Sequence, residues 1–318
     1  MTDIGTSGRS SRIEPFPLPL ALFVYNRPDQ ARAVVARLRD IRPQVLYVFA
    51  DGPRADVPAD APSCLETLAA ISLVDWDCRL HLHAASANMG CGPRLISGLD
   101  HVFGRERAAI VLEDDCLVSP SFFPYCRGLL ERYRDETRVM HVGALGPLNG
   151  PAPGNGSYYF SRTTPVWGWA TWERAWSRFD AGLSQWPGMR QAGALERVLG
   201  RGPGVRFLGD RLDDEYLRGP SSSTWDLKWF VAVLAADGLA ALPRVNLVEN
   251  RGFDHRGTNL VAAPSWAREP AVDLPFPLHH PATVQADAAV DRAAVERVFA
   301  GHSARRAEDL SDTGGPCP

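Results

Sequence analysis

The chain has 318 residues, of which 45% are hydrophobic and 22% charged, and carries a formal net charge of −3. That length buries a sizeable core, and the near-neutral balance excludes the broad basic field expected of a protein that grips nucleic acid or anionic lipid. No apolar run is long enough to span a bilayer, which leaves at most a peripheral position at a membrane.

The N-terminus, Thr2 to Glu14, is polar and lacks the apolar stretch of a signal peptide. The cysteines (Cys64, Cys78, Cys91, Cys116, Cys126 and Cys317) form no Cys-x-x-Cys pair and no regular spacing. They read as reduced thiols of a cytoplasmic protein, mostly packed as small apolar groups.

Residues 1–17 are rich in Gly, Ser and Pro and read as a loose arm. Leu20 to Tyr25 is a continuous apolar run stopped by Asn26-Arg27-Pro28-Asp29. A run of this kind is a strand covered on both faces. Pro28 and Asp29 open a helix that continues to Asp40. Gln44 to Ala50 is a second strand, ended by Asp51-Gly52-Pro53-Arg54, and a helix follows over Ser63 to Leu73. A third strand, Cys78 to Ala84, alternates Leu80 and Leu82 with His81 and His83 and ends in Ser86 to Arg94, a loop holding Asn88, Gly90 and Gly92. Arg94 to Phe103 reads as a helix, and 108–112 is the fourth strand, closing on Glu113-Asp114-Asp115.

Strands alternating with helices at this spacing predict an α/β protein with a mostly parallel central sheet flanked by helices. Ligands of such sheets lie beyond the carboxyl ends of the strands. Asn26, Arg27, Asp51, Arg54, Asn88, Gly90, Arg94 and the acidic triplet are therefore expected to face one crevice. It would combine guanidiniums and close backbone approach for phosphates with acids for a metal and a ribose. Three adjacent carboxylates repel one another. They are either a solvated strand exit or are neutralised, most simply by Mg²⁺ or Mn²⁺ held by one or two carboxylates and the phosphates of a nucleotide.

Downstream, Pro120 to Tyr133 reads as a helix and Val139 to Gly143 as a short strand. Four tryptophans (Trp167, Trp169, Trp172, Trp176) crowd the segment 167–176. Trp172 and Trp176 would share a helix face. The cluster is either the core of a small subdomain or an aromatic platform beside a sugar or acceptor, with Trp167 and Trp169 at its rim. Asp213-Asp214-Glu215 reads as a solvated helical face. Thr224 is a candidate N-cap for a helix running to about Asp237, with Asp226 in the first turn, where an acid either favours the helix dipole or acts in catalysis. A short strand at Leu239 to Leu242 and the run Val245 to Val248 lead into a polar loop, Glu249 to Thr258. That loop contains His255 and could close over a phosphate or metal. Residues 262–283 are Pro-rich and extended, Ala289 to Ala300 suits one amphipathic helix, and Ser303 to Pro318 reads as disordered.

Taken together, Tyr25-Asn26-Arg27-Pro28, Asp51-Gly52, Asn88-Met89-Gly90, Val111 to Asp115, Trp167 to Trp172, Trp225 to Trp229 and Asn246 to Phe253 resemble the nucleotide-diphospho-sugar transferases of the GT-A fold. The resemblance is to bacterial family-2-like glycosyltransferases of the hemolytic-protein-like group. The Glu-Asp-Asp form is shared with N-acetylglucosaminyltransferase I. It implies a Rossmann-like GT-A domain over 18–260, with a nucleotide-sugar half (18–118), a smaller acceptor-side, catalytic half (119–260) and an extended C-terminal segment (261–318).

It further implies a metal-dependent inverting hexosyl- or N-acetylhexosaminyl-transferase using a UDP- or GDP-sugar and a hydroxyl acceptor, in cell-surface polysaccharide or glycoconjugate synthesis. Asp115 would bind Mn²⁺ or Mg²⁺, Asp114 would face the ribose and Glu113 the donor sugar. Asn26, Arg27 and Asp51 would line the nucleoside pocket. Asp226 would be the general base, with Asp213, Asp214 and Glu215 as fallbacks. The loop after Gly252 departs from the family's longer form, which leaves His255 without a firm role. The competing readings are a nucleotidyltransferase, which usually carries a Gly-rich loop after its first strand, and a non-catalytic carbohydrate-binding or toxin-like protein.

Overall fold

A computed structural model of the chain describes residues 15–148, 152–253 and 264–311. The opening half is a regular alternation: β1 (Leu20–Val24), α1 (Pro28–Ile41), β2 (Val45–Ala50), α2 (Asp60–Ile71), β3 (Arg79–Ala84), α3 (Cys91–Phe103) and β4 (Ala108–Glu113). There follow β5 (Cys116–Val118), α4 (Phe122–Arg132), β6 (Val139–Gly143), β7 (Tyr158–Ser161), β8 (Trp169–Trp172) and α5 (Glu173–Trp176). A run of helices comes next: α6 (Trp186–Gln191), α7 (Ala194–Leu199), α8 (Pro203–Arg218) and α9 (Asp226–Ala235). The chain then forms β9 (Leu239–Pro243), β10 (Val248–Asn250), a 3₁₀ turn at Ser265–Arg268 and α10 (Ala288–Ser311).

Eight strands form one sheet in the order β3-β2-β1-β4-β8-β6-β9-β7. β1 to β4 pair in parallel, β8 is antiparallel to both β4 and β6, β9 is parallel to β6, and β7 is antiparallel to β9. Strands β1, β2, β3, β4, β6 and β9 thus point one way, and only β8 and β7 oppose them. The mostly parallel α/β expectation holds. The 3-2-1-4 order of the first half is that of doubly wound nucleotide-binding sheets.

The reason the early strands read as unbroken apolar runs is visible in the packing. Alternate residues of β1 enter opposite layers: Leu20, Leu22 and Val24 join one core with α1 and α4, while Ala21 and Phe23 join a second with α3, α5 and α9. With side chains buried on both faces, each contributes roughly 1.5–3 kcal/mol per large aliphatic group. A third apolar cluster joins Trp186, Leu195, Leu208 and Leu212 to Phe230 and Val231 of α9 and Val295 of α10. The helices α6–α8 therefore form a layer against α9, and α10 is part of it.

Several local expectations are corrected. Trp172 closes a strand rather than sharing a helix with Trp176, because β8 threads between β4 and β6. Thr224 does not cap α9: Trp225 holds the N-cap position, without a side-chain capping bond. The second helix begins at Asp60 rather than Ser63. The final helix runs to Ser311, through residues expected to be disordered. At the other end Phe16, expected in a loose arm, is buried. Its N–H donates to the Ile41 and Arg42 carbonyls at 3.2 and 3.1 Å, and its ring meets Phe123 edge-on. Among the described residues no helix is long and apolar enough to cross a membrane, and Cys64, Cys78, Cys91, Cys116 and Cys126 are free thiols.

Candidate functional site

The carboxyl ends of β1, β2 and β4 lie side by side, so Tyr25-Asn26-Arg27, Asp51 and Glu113-Asp114-Asp115 share one edge of the sheet. Asp114 is buried, and its Oδ2 accepts the Tyr25 backbone N–H at 2.9 Å. Arg27 Nη1 donates to Asp115 Oδ2 at 2.8 Å and stands 3.9 Å from Asp114 Oδ1. Part of the repulsion in the triplet is thus offset by a guanidinium from the turn after β1, a partner the sequence reading placed in the crevice but not on the acids.

Glu113 is half-buried. Burial, then the charges of Asp115, Asp114 and Asp226, push its carboxyl well above the ordinary carboxylate range, and Arg27 opposes this. Asp226, first residue of α9, is raised by its own burial, with backbone N–H groups at the helix start pulling the other way. The loop before α9, and so Asp226, is set by its seat on the start of α3. A Cβ on Gly92 would lie 2.8 and 2.7 Å from the Ser222 and Ser223 carbonyl oxygens, so only glycine permits that approach. Cys91 Sγ stands 4.0 Å from Glu113 Oε2. Desolvation and the charges of Glu113, Asp226 and Asp115 raise its thiol, and the Trp225 side chain opposes this. A thiol so disfavoured as thiolate is not poised as a nucleophile.

Asp51 and Asn88 are brought together but engage each other. Asp51 Oδ1 accepts the Gly52 and Met89 N–H groups, both at 2.8 Å, and Oδ2 accepts Asn88 Nδ2 at 3.0 Å and the Gly90 N–H at 3.1 Å. The carboxylate straps the β3–α3 loop to the end of β2, and Gly90 meets it with φ +85°. Arg94 bonds the His83 carbonyl and lies over the Phe49 ring at 5.5 Å. It buttresses β3.

The residue the sequence reading missed is Asp60. It is buried at the start of α2. Its carboxylate accepts Arg54 Nε at 2.6 Å, Arg54 Nη2 at 3.0 Å, Asn26 Nδ2 at 2.9 Å and the Tyr25 hydroxyl. Hydrogen bonding from Arg54 holds it well below the usual carboxylate range against the opposing effect of burial. The available signal was an acid and a proline, Asp60-Ala61-Pro62, where a helix can open.

A second missed relationship is the return of the chain to Asp115. β10 pairs antiparallel with β5, Asn250 opposite Cys116. The Arg251 N–H donates to the Asp115 carbonyl at 2.8 Å, and Gln30 Nε2 donates to the Arg251 carbonyl at 2.8 Å. Gly252 packs on the carboxylate so closely that an added Cβ would fall 2.2 Å from Asp115 Oδ2. Phe253 meets Trp167 edge-on, centroids 5.5 Å apart. This polar loop thus reaches the acidic cluster through residue 253; His255 lies outside the described residues.

The remaining candidates divide. Trp167 is partly buried beside the core. Trp169 is 1% exposed and stacks on His141 and Trp225, so it is core and not a rim platform. Asp213 accepts Trp186 Nε1 at 2.8 Å and Arg190 Nε at 3.2 Å, which binds α8 to α6. Asp214 lies on the same helix. Glu215 is not solvated: it is fully buried and accepts the Ser222 hydroxyl and Arg218 Nη1. Its partner loop is the one carrying Asp226. Lys228, also fully buried, donates to the Gly219 and Pro220 carbonyls at 3.0 and 3.2 Å and so holds the other end of that loop.

Among the described residues no group of three or more His, Cys, Asp or Glu is arranged to hold a metal ion. The acids at this edge are at most a partial coordination shell, of the kind a hard divalent cation completes with phosphate oxygens or water.

No family model matches the chain, and no curated protein matches it. Among solved structures it is similar to mannose-1-phosphate geranyltransferase from Thermus thermophilus, with 13% identity over 72% of this chain and 74% of that one and a TM-score of 0.37. It is also similar to UDP-glucose pyrophosphorylase complexed with UDP-glucose, with 10% identity over 51% of this chain and 78% of that one and a TM-score of 0.31. Likenesses this loose bear on neither the substrate nor the reaction.

Proposed function

We propose that the chain is a metal-dependent inverting glycosyltransferase of the GT-A type. It would move a sugar from a UDP- or GDP-linked donor to a hydroxyl acceptor, as a cytoplasmic enzyme of cell-surface polysaccharide or glycoconjugate synthesis. The observation that carries the reading is the acidic edge of the sheet: Glu113-Asp114-Asp115 at the end of β4 beside the turn after β1, with Arg27 paired to Asp115 and with the charge of Asp226, at the start of α9, adding to the raising of Glu113.

The chemistry follows from that arrangement. Asp226, raised by burial, is suited to take the proton of an acceptor hydroxyl as it attacks. Asp114 and Glu113 would orient ribose and donor sugar. The charge balance favours a cation completed by phosphate oxygens or water: around Glu113 the carboxylates of Asp114, Asp115 and Asp226 outweigh the one guanidinium of Arg27. Asp115, half-buried at the strand end, would hold Mn²⁺ or Mg²⁺. When bound, such a cation supplies charge stabilisation for the departing diphosphate. Attack from the side opposite the diphosphate inverts the anomeric carbon, giving a β-linked product from an α-linked donor.

Nucleotidyl transfer on the same sheet is the competing reading. The turn after β1 weighs against it: Asn26-Arg27 holds no glycine, and the Tyr25 N–H is already donated to Asp114. A panel of nucleotide sugars incubated with Mn²⁺ separates the two. Release of nucleoside diphosphate with sugar transferred or hydrolysed supports the proposal. Formation of nucleotide sugar from a nucleoside triphosphate and a sugar phosphate, with pyrophosphate released, opposes it.

A further inference from the structure

At the opposite edge of the sheet from the acidic cluster lies a cavity of about 330 Å³. Its position follows from the topology. Arg138 precedes β6 and Leu239 opens β9, two strands that run parallel to β4, while Arg162 follows β7, which runs the other way. All three line the cavity, at the amino ends of the parallel strands. It is separate from the crevice that holds Asp115 and Asp226.

Its chemistry is cationic. Arg138, Arg162 and Arg197 line it together with Asp237 and Asp291. The two acids are committed in different ways. Asp291 is buried and accepts the Ser161 hydroxyl at 2.6 Å and the Arg162 N–H at 2.9 Å. Asp237 is largely exposed, 82%, and takes only Nη1 of Arg162, at 2.6 Å. Arg138 is occupied by Glu136 and the Val284 carbonyl.

Two guanidiniums keep donors unspent. Arg162, with its side chain only 22% exposed, uses Nη1 on Asp237 and the Gly238 carbonyl and leaves Nε and Nη2 without acceptors among the described residues. Arg197 makes no hydrogen bond or ion pair through its side chain among them. A guanidinium with unmet N–H groups in a cavity wall that a second, exposed guanidinium also lines suits the fork geometry that arginine uses for carboxylate and phosphate. The rest of the wall is Gln285 and the apolar Val198, Leu239, Val284, Ala286 and Ala288. The volume lies at the lower end of the range for small-molecule sites.

We propose that this cavity binds a small organic oxyanion, its phosphate or carboxylate group held between Arg162 and Arg197 and its carbon skeleton against the apolar wall. The shared chemistry is the oxyanion, and two probes separate its sources: inorganic phosphate and succinate. Isothermal titration at fixed ionic strength would compare the wild-type chain with Arg197→Gln and with Arg178→Gln, an exposed arginine outside the cavity. Arg197 has no partner to lose among the described residues, so its replacement leaves the fold in place. The expected result is saturable binding of at least one probe, weakened tenfold or more in Arg197→Gln and unchanged in Arg178→Gln. Equal binding by Arg197→Gln and wild type, equal weakening in both variants, or no binding of either probe by the wild type would overturn the proposal.

Discussion

Arg27 Nη1 lies 2.8 Å from Asp115 Oδ2, so a guanidinium from the first turn of the sheet edge is ion-paired with the last acid of the triplet. Both side chains are mostly buried, at 11% and 20% exposure, and breaking such a pair from one side leaves an uncompensated charge. Arg27→Gln is expected to destabilise the fold by about 1–3 kcal/mol at neutral pH, read by urea denaturation. A variant as stable as the parent at pH 7 would show that the pair contributes nothing.

Gly252 offers a way to move Asp115 without touching its chemistry. An added Cβ would fall 2.2 Å from Asp115 Oδ2, the oxygen paired with Arg27 Nη1, and would push it aside. Gly252→Ala should therefore disturb the Arg27 pair, costing about 1–3 kcal/mol, and abolish the rise in melting temperature produced by Mn²⁺ with a nucleoside diphosphate. Retention of that rise would remove Asp115 from the proposed metal contact.

Asp60 holds Tyr25, Asn26 and Arg54 at one point, and its carboxyl is depressed in the folded chain. A depressed folded pKa means stability that is fully present above the unfolded value, near 4, and is lost as pH falls below it. Asp60→Asn should be less stable than wild type by about 1–3 kcal/mol at pH 7, and the gap should narrow steadily below about pH 4. Parallel denaturation curves for the two proteins from pH 7 to 3 would contradict this assignment.

His141 is buried at 0% exposure, accepts Trp229 Nε1 at its Nδ1 and pairs its Nε2 with the Pro165 carbonyl. Burial pushes it down to about 3. The unfolded chain then binds a proton that the folded chain refuses, so stability falls as pH drops from about 6.5 toward 3, by up to about 1.4 kcal/mol per pH unit from this group. Replacing His141 by Gln should flatten the pH dependence in that window, even though the variant is weaker at pH 7. An unchanged slope would mean that other groups carry the acid sensitivity.

What was legible in the sequence was the part built from local pattern. Leu20–Val24, Val45–Ala50 and residues 108–112 of β4 are apolar because both faces are covered, and their polar exits fall on one edge because the strands are parallel. β8 was not legible: Trp169-Ala170-Thr171-Trp172 has no run length, and the tryptophan spacing imitates a helix face. Glu215 looked solvated because its neighbours in sequence are charged; its burial comes from Ser222 and Arg218 folding over it. Asp60 was hidden in a Pro-rich turn, and its role depends on Arg54 and Asn26 meeting it in space. Asp51, by contrast, was legible as a strand-end acid, but its oxygens are engaged by the β3–α3 loop. Pattern locates an edge of the sheet; which groups on it are spent on one another is decided by tertiary contacts.

The most direct test of the proposed reaction is the turnover of Asp226→Asn with a nucleotide sugar that the wild type uses in the presence of Mn²⁺. The account predicts that donor and metal still raise the melting temperature of the variant as in the wild type, while transfer slows by about 10²–10⁴-fold. Transfer at the parental rate by Asp226→Asn would contradict it.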